Sequence, residues 1–189
     1  MKYNIPNLLT AFRVFCIPVI AILIIIKINQ ASIVFAFWLF ILSAVTDYLD
    51  GLTARKLNQM TEFGKILDPI ADKLMTVILL CVLYGSKLGS NYPLVFGVPV
   101  ILIIFREIFI SGLREHVNKD SRILQVSWLA KIKTAFQLVA IGTLIGSLAF
   151  PNISSLQNFG LLMIWIAAIL TLVSGLDYLL KAKPYFKGL

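Results

Sequence analysis

The chain has 189 residues, of which 59% are hydrophobic and 14% are charged, and its mean hydropathy is +0.92. This composition excludes a typical water-soluble globular domain and favours an integral membrane protein. The apolar runs are continuous rather than alternating, so they predict transmembrane helices and not the strands of a barrel. The net charge is +8, but the basic residues lie toward one side of these runs, which excludes a nucleic-acid-binding protein.

We predict an all-α integral membrane protein with six transmembrane helices, forming one domain over residues 1–189. An amphipathic segment from Asn4 to Arg13 is expected to lie as a helix at the membrane interface before the first span. A solvated helix face and a site role are both open for its polar side, Asn7, Thr10 and Arg13. The spans are predicted at about residues 14–28, 31–55, 62–84, 93–115, 128–150 and 157–181.

The charged residues are distributed unevenly between the two ends of these spans. Of the 17 basic residues, all but Lys27 and Lys87 lie on the side of the termini or in the half-spans that open toward it, and so do all nine acidic residues. Cytoplasmic ends of membrane helices carry the excess of lysine and arginine. The sequence therefore predicts that both termini and the charged residues face the cytoplasm.

Four aspartates interrupt the apolar sequence of the second and third spans. Asp47 and Asp50 lie about 12 and 8 Å inside the end of the second span, and Asp68 and Asp72 lie about 9 and 15 Å inside the start of the third. Each pair shares a helix face, because the residues are three or four positions apart. Antiparallel packing of the two spans would therefore gather all four carboxylates into one cluster.

Such a cluster predicts a site for divalent cations. Carboxylates held close together in a low dielectric need positive charge between them. Oxygen ligands without cysteine or histidine favour Mg²⁺ or Mn²⁺, and two such ions are a common device for phosphoryl displacement. Gly51 and Gly64 would let a phosphate or nucleotide approach the backbone, although close helix packing is an alternative role for them.

The spacing of this segment resembles the signature of the CDP-alcohol phosphotransferase family without a departure. It reads Asp47-x-x-Asp50-Gly51-x-x-Ala54-Arg55, eight residues, then Gly64-x-x-x-Asp68-x-x-x-Asp72. Other segments, including Asn4-Ile5-Pro6 and Arg106-Glu107-Ile108, resemble family members whose acceptor is sn-glycerol 3-phosphate. The resemblance implies a homodimeric enzyme of the bacterial plasma membrane that transfers the phosphatidyl group of CDP-diacylglycerol to this acceptor and releases CMP.

The resemblance also implies roles for individual residues. Asp47, Asp50, Asp68 and Asp72 would hold two divalent cations, Mg²⁺ or Mn²⁺, and Asp72 would serve as the general base. The residues expected to bind CDP-diacylglycerol are Asp50, Gly51, Ala54, Arg55 and Gly64.

An acceptor that carries a phosphate requires further cations. We expect the phosphate to bind Arg106, Arg114, Lys131 and Lys133, with Arg13 and Lys65 as lesser candidates. Arg106 and Arg114 share a face of the fourth span, and an arginine at that depth needs an anion. The alternatives are that Arg106 only pairs with Glu107 or Asp72, and that the other three extend to lipid headgroups.

Two other functions remain open to test, one within the same family and one in a different class. A different family member would use another acceptor, as the cardiolipin, phosphatidylserine and phosphatidylinositol-phosphate synthases do. A cation-coupled transporter would also place aspartates in the membrane, but transporters favour inverted repeats and access from both sides, and this sequence has neither a repeat nor acidic residues at both ends.

Overall fold

The computed structural model describes residues 5–57, 62–117 and 128–186; within these ranges it does not describe the side chains of residues 5–6, 48–57, 62–63, 65, 115–117, 130 and 184–186. The described residues contain helices and no strand, which confirms the predicted all-α class. The helices are α1 (Ile5–Ile26), α2 (Gln30–Leu57), α3 (Glu62–Tyr84), α4 (Lys87–Asn91), α5 (Pro93–Val117), α6 (Trp128–Ala149) and α7 (Ser154–Phe186).

Five of these helices contain a stretch long and apolar enough to cross a membrane. The stretches are Asn7–Ile26, Gln30–Asp47, Pro93–Arg114, Lys131–Ala149 and Ser154–Lys183. The chain therefore has the helices of an integral membrane protein.

The third predicted span, α3, is not among these five. It is 23 residues long, but Asp68, Asp72 and Lys73 fall within every 18-residue window that fits inside it. Charged groups at membrane depth are costly unless other helices supply partners. The sixth span thus remains a prediction that depends on what α3 packs against.

The N-terminal region differs from the expected interfacial helix followed by a separate span. It forms one continuous helix, α1, with Pro18 inside it. The candidate span runs from Asn7 to Ile26 and contains Arg13 as its one charged residue. The structure therefore does not divide this region near Arg13, and its placement at the interface stays a prediction.

The six long helices pack as a closed ring. α1 contacts α2 and α3, α2 contacts α6, α6 contacts α7, α7 contacts α5, and α5 contacts α3. α3 also contacts α6 across the ring. Apolar side chains fill the part of the ring away from the aspartates, among them the fully buried Ile20, Leu79, Ile103, Leu144 and Ile164.

The short helix α4 is a feature that the sequence analysis does not predict. Ser86 caps its N-terminus by accepting a hydrogen bond from the Leu88 amide at 3.2 Å. Gly89 lies directly against the end of α3, where a Cβ atom would come within 1.8 Å of the Tyr84 carbonyl oxygen. The chain can therefore turn from α3 into α5 in this way only with glycine at position 89.

The close packing of α6 on α7 yields a test of the fold. A Cβ atom at Gly160 would lie 2.8 Å from Leu144, a fully buried side chain, whereas a Cβ atom at Gly112 would meet nothing within 4 Å. Gly160→Ala should lower the free energy of unfolding by about 1 to 3 kcal/mol through overpacking. Thermal unfolding in detergent measures this change, with Gly112→Ala as the matched control that should not be destabilised. Equal stability of the two variants would contradict the described α6–α7 contact.

Candidate active site

Arg13 of α1 lies between the aspartates of α2 and α3. Its Nη1 atom forms an ion pair with Oδ1 of Asp47 and lies 2.8 Å from Oδ1 of Asp72. The arginine is 1% exposed, while the two carboxylate side chains are 31% and 50% exposed. Part of the positive charge that the aspartates require is thus supplied by the chain itself, from a third helix.

The neighbouring polar residue of α1 contacts the other aspartate of α3. The Thr10 hydroxyl donates a hydrogen bond of 2.7 Å to Oδ1 of Asp68. Thr10 is as buried as Arg13, and the two residues share a face because they are three positions apart. Of the two roles left open for this face, the structure favours the site role over a solvated surface.

The structure therefore brings together Asp47, Asp68 and Asp72, three of the four predicted aspartates. The fourth, Asp50, lies one helical turn after Asp47 in α2, but its side chain lies outside the described part of the structure. The side chains of Ala54, Arg55 and Lys65 also lie outside the described part of the structure, and the surroundings of Gly51 are not described. Gly64 is described and buried.

The donor atoms around Arg13 are of the type that a hard divalent cation binds. They are carboxylate oxygens and one hydroxyl, without nitrogen or sulfur donors from histidine or cysteine. Among the described side chains, no group of three His, Cys, Asp or Glu residues is arranged to hold a metal ion. The chemistry of the donor set fits Mg²⁺ or Mn²⁺.

A cavity of about 280 Å³ opens beside these aspartates, between α3, α5 and α6. Its lining residues are Asp68, Pro69, Asp72, Lys73, Arg106, Glu107, Ile110, Ser111, Arg114, Lys133 and Thr134. Carboxylates from α3 form one wall, and arginine and lysine from α5 and α6 form the opposite wall. The cavity thus joins the aspartate cluster to the cations predicted to bind an acceptor phosphate.

Three of the four main candidates for that phosphate site line the cavity, namely Arg106, Arg114 and Lys133. Lys131 lies on an exposed face of α6 instead. Arg13, a lesser candidate, lies among the carboxylates rather than at the cationic wall.

The arginines at this wall are held by α7. The Arg106 Nη2 atom donates to the Ser174 hydroxyl at 3.0 Å, and the Arg114 guanidinium lies over the Tyr178 ring at 5.6 Å. The Nε atoms of both arginines are buried without a hydrogen-bond partner among the described residues. Both arginines also line the polar cavity, where their positive charge favours an anionic ligand.

Glu107 is a residue of this wall to which the sequence analysis assigns no role in the site. Its Oε1 atom forms an ion pair with the Lys133 ammonium and lies 3.4 Å from Nη1 of Arg106. The alternative that Arg106 pairs with Glu107 is thus confirmed as a contact, but this contact does not take Arg106 away from the cavity. The available signal in the sequence was that Glu107 lies four residues before Ser111 and therefore on the same helix face.

Lys73 and Ser111 also line the cavity without having been predicted as site residues. The Lys73 ammonium donates a hydrogen bond to the Ser111 hydroxyl, which joins α3 to α5 beside Asp72. A lysine that directly follows an aspartate has no distinctive spacing, so spacing alone does not predict this contact.

Comparison with known proteins agrees with this site. The model of the CDP-alcohol phosphatidyltransferase family matches residues 3–173, and the chain therefore belongs to that family. This finding confirms the resemblance recognised from the aspartate spacing.

Several relatives that match nearly the whole chain carry the name CDP-diacylglycerol–glycerol-3-phosphate 3-phosphatidyltransferase. The protein of that name from Cereibacter sphaeroides is 39% identical, with 99% of each chain covered. Those from Rickettsia bellii and Salmonella typhimurium are each 40% identical, with 97% of each chain covered.

The position of Arg13 predicts a large effect on stability. Arg13→Gln should lower the free energy of unfolding by about 1 to 3 kcal/mol, because it leaves partly exposed carboxylates of two helices without the buried cation that they share. Thermal unfolding in detergent with a chelator measures this loss. Lys27→Gln, at an exposed position just after the same helix, is the control and should change stability by less than about 0.5 kcal/mol. A stable Arg13→Gln variant would show that the ion pairs do not hold α1 to α2 and α3.

Proposed function

We propose that this protein transfers the phosphatidyl group of CDP-diacylglycerol to sn-glycerol 3-phosphate, giving phosphatidylglycerophosphate and CMP. The observation that carries the proposal is the single cavity whose two walls are the Asp68 and Asp72 carboxylates and the Arg106, Arg114 and Lys133 cations. An acceptor with a hydroxyl at one end and a phosphate at the other matches this division of charge. The names of the full-length relatives support the same reaction.

Asp72 is the residue proposed as general base. It lines the cavity, its side chain is half exposed there, and Arg13 fixes its Oδ1 atom. It would take the proton from the 1-hydroxyl of glycerol 3-phosphate while that oxygen forms a bond to the lipid-bearing phosphorus of CDP-diacylglycerol. The phosphoanhydride bond then breaks, and CMP leaves with the bonding electron pair.

The cationic wall would bind and orient the acceptor. Arg106, Arg114 and Lys133 present charged donors to its phosphate, which places the hydroxyl at the carboxylate wall. Lys131, Arg13 and Lys65 belong to the predicted acceptor set as well, but the positions of Lys131 and Arg13 give them less support.

The remaining predicted residues would serve the nucleotide and the metal ions. Two Mg²⁺ or Mn²⁺ ions held by Asp47, Asp50, Asp68 and Asp72 would neutralise charge on the phosphates and on the leaving CMP. The CDP-diacylglycerol nucleotide would lie against α2 and the start of α3, at Asp50, Gly51, Ala54, Arg55 and Gly64.

For the membrane, we propose six spans in a single domain, with α3 as the sixth. Its Asp68 and Asp72 side chains contact Thr10 and Arg13 of α1, so these charged groups face other helices of the ring. The basic residues place both termini and the site at the cytoplasmic face of a bacterial plasma membrane. A homodimer is proposed on the basis of the family.

There are two alternatives to this function: transfer to a different acceptor, and a different functional class, cation-coupled transport. Another family member would transfer the phosphatidyl group to serine, inositol phosphate or phosphatidylglycerol, and the cavity wall of three cations favours a phosphorylated acceptor over serine. A cation-coupled transporter is disfavoured because Asp68 and Asp72 face a cavity lined by cations.

Purified protein in detergent tests the reaction directly. With CDP-diacylglycerol and Mg²⁺, CMP release should require glycerol 3-phosphate and should stop on chelation. Serine, inositol phosphate and phosphatidylglycerol, supplied in turn, should not support it. Asp72→Asn should lower kcat by about 10²- to 10⁴-fold, since the general base is lost.

Asp177→Asn is the matched control for this substitution. Asp177 pairs with Lys181 at 2.6 Å on an exposed part of α7, so its amide variant should keep full activity. CMP release with a different acceptor would retain the enzyme class and overturn the assigned acceptor. Absence of release with every acceptor would overturn the enzyme proposal in favour of transport.

The proposed role of the cationic wall leads to a second prediction, which concerns the KM for glycerol 3-phosphate. Lys133→Gln and Arg114→Gln should each raise the KM for glycerol 3-phosphate about tenfold or more, because each loses a charge-assisted contact. Lys131→Gln should raise it less, since Lys131 is exposed. Initial rates at varied acceptor concentration measure the three values, and a larger effect at Lys131 than at Lys133 would contradict the proposed wall.

A further inference from the structure

We propose that Glu107 is a positioning residue that sets the geometry and charge of the acceptor-phosphate site, and that α7 supports it. This inference rests on the proposed function, because it concerns the site where the phosphate of glycerol 3-phosphate would bind. Glu107 itself would not touch the reacting atoms. It would act through Arg106 and Lys133, the two cations that it contacts.

Glu107 is the common acceptor of a buried polar network between α5 and α6. Its Oε1 atom pairs with Lys133 and lies 3.4 Å from both Arg106 Nη1 and Gln137 Nε2. The side chains of Glu107, Arg106 and Lys133 are only 11%, 10% and 7% exposed. Two buried cations this close repel each other unless an anion lies between them. Glu107 thus allows both to occupy the cavity wall before the acceptor arrives.

α7 holds the same network from the side away from α3. Ser174 accepts from Arg106 Nη2 at 3.0 Å and donates its own hydroxyl to the Thr171 carbonyl oxygen. The Gln137 amide donates to the Thr171 hydroxyl at 3.1 Å. Arg106 and Gln137 are thereby each fixed by a contact beyond Glu107 itself, as a rigid site requires.

Gly175 provides the space in which the Arg106 side chain lies. A Cβ atom at this position would be 3.1 Å from Arg106 Cγ and 3.2 Å from its Nε atom. Gly175 therefore leaves room for the Arg106 side chain against α7, next to the Ser174 hydroxyl that Arg106 contacts.

The charge of the wall also follows from Glu107. Arg106, Arg114 and Lys133 carry three positive charges, and Glu107 offsets one of them. Two positive charges match the dianion of a phosphomonoester better than the single charge of a phosphodiester or a neutral alcohol. We therefore assign Glu107 a part in the choice of acceptor as well as in its placement.

Glu107→Gln tests the inference when the KM of each of the two substrates is measured separately. The variant should raise the KM for glycerol 3-phosphate at least about tenfold, because Arg106 and Lys133 lose their charged acceptor and move apart. The KM for CDP-diacylglycerol should stay within about twofold, since the predicted nucleotide residues lie on α2 and α3. A merely structural role would alter both constants or only the amount of folded protein.

Gly175→Ala is the second variant, because it displaces Arg106 without changing any charge. It should raise the KM for glycerol 3-phosphate about threefold or more, again without affecting the KM for CDP-diacylglycerol. Asp177→Asn, two residues further along α7, is the control and should change neither constant. Stabilisation of each variant by glycerol 3-phosphate in thermal unfolding gives a readout that does not require turnover.

The outcomes separate this inference from the proposed function. If the wild type releases CMP with glycerol 3-phosphate but Glu107→Gln keeps the KM for that acceptor, Glu107 is not a positioning residue and the proposed function stands. If Glu107→Gln does not fold, an unchanged KM in Gly175→Ala overturns the inference in the same way. If the wild type releases no CMP with this acceptor, the proposed function itself fails.

Discussion

The contact of one arginine with carboxylates of two other helices determines much of this structure. Arg13 is buried, and its Nη1 atom meets Asp47 of α2 and Asp72 of α3. Carboxylates from neighbouring helices would otherwise repel each other in a medium of low dielectric. The helix packing and the arrangement of the proposed catalytic groups therefore depend on the same ion pairs. A change that loosens α1 would also disturb the aspartates.

Most of the described charged residues of α3 and α5 line one cavity, together with Lys133 of α6. Its carboxylate wall is fixed from α1, through Thr10 and Arg13, and its cationic wall is fixed from α7, through Ser174 and Tyr178. Among the described side chains, none from α1 or α7 lines the cavity. The helices that carry the proposed chemistry, α3, α5 and α6, are thus supported from both sides by helices that hold their side chains in place.

Hydropathy and spacing were sufficient to predict the six long helices and the approach of the three described aspartates of α2 and α3. The predicted spans 62–84 and 93–115 correspond to α3 and α5, because long apolar runs bounded by polar residues leave little choice of helix position. The five-residue helix α4 has no such run and was not predicted. Asp47, Asp68 and Asp72 came together as expected, since residues three or four apart share a helix face.

Other parts of the site depend on how the helices are rotated in the ring, which spacing does not determine. Lys131 and Lys133 are two positions apart and point to different sides of α6, so only packing decides that Lys133 faces the cavity. The partner of Arg13 likewise depended on which helix would lie beside α1. Glu107 was read as a possible partner of Arg106, but its contact with Lys133 required the relative positions of α5 and α6.

The ion pairs of α1 have a consequence for how the protein is made. In the proposed six-span arrangement, α3 would enter the membrane carrying Asp68, Asp72 and Lys73, each of which costs about 2 to 3 kcal/mol near the centre of an isolated helix. α1 is synthesised before α3, so Thr10 and Arg13 are already present when these groups arrive. The order of helices along the chain thereby places the counter-charge in the bilayer first, and insertion of α3 becomes a step of assembly onto α1 rather than an independent event.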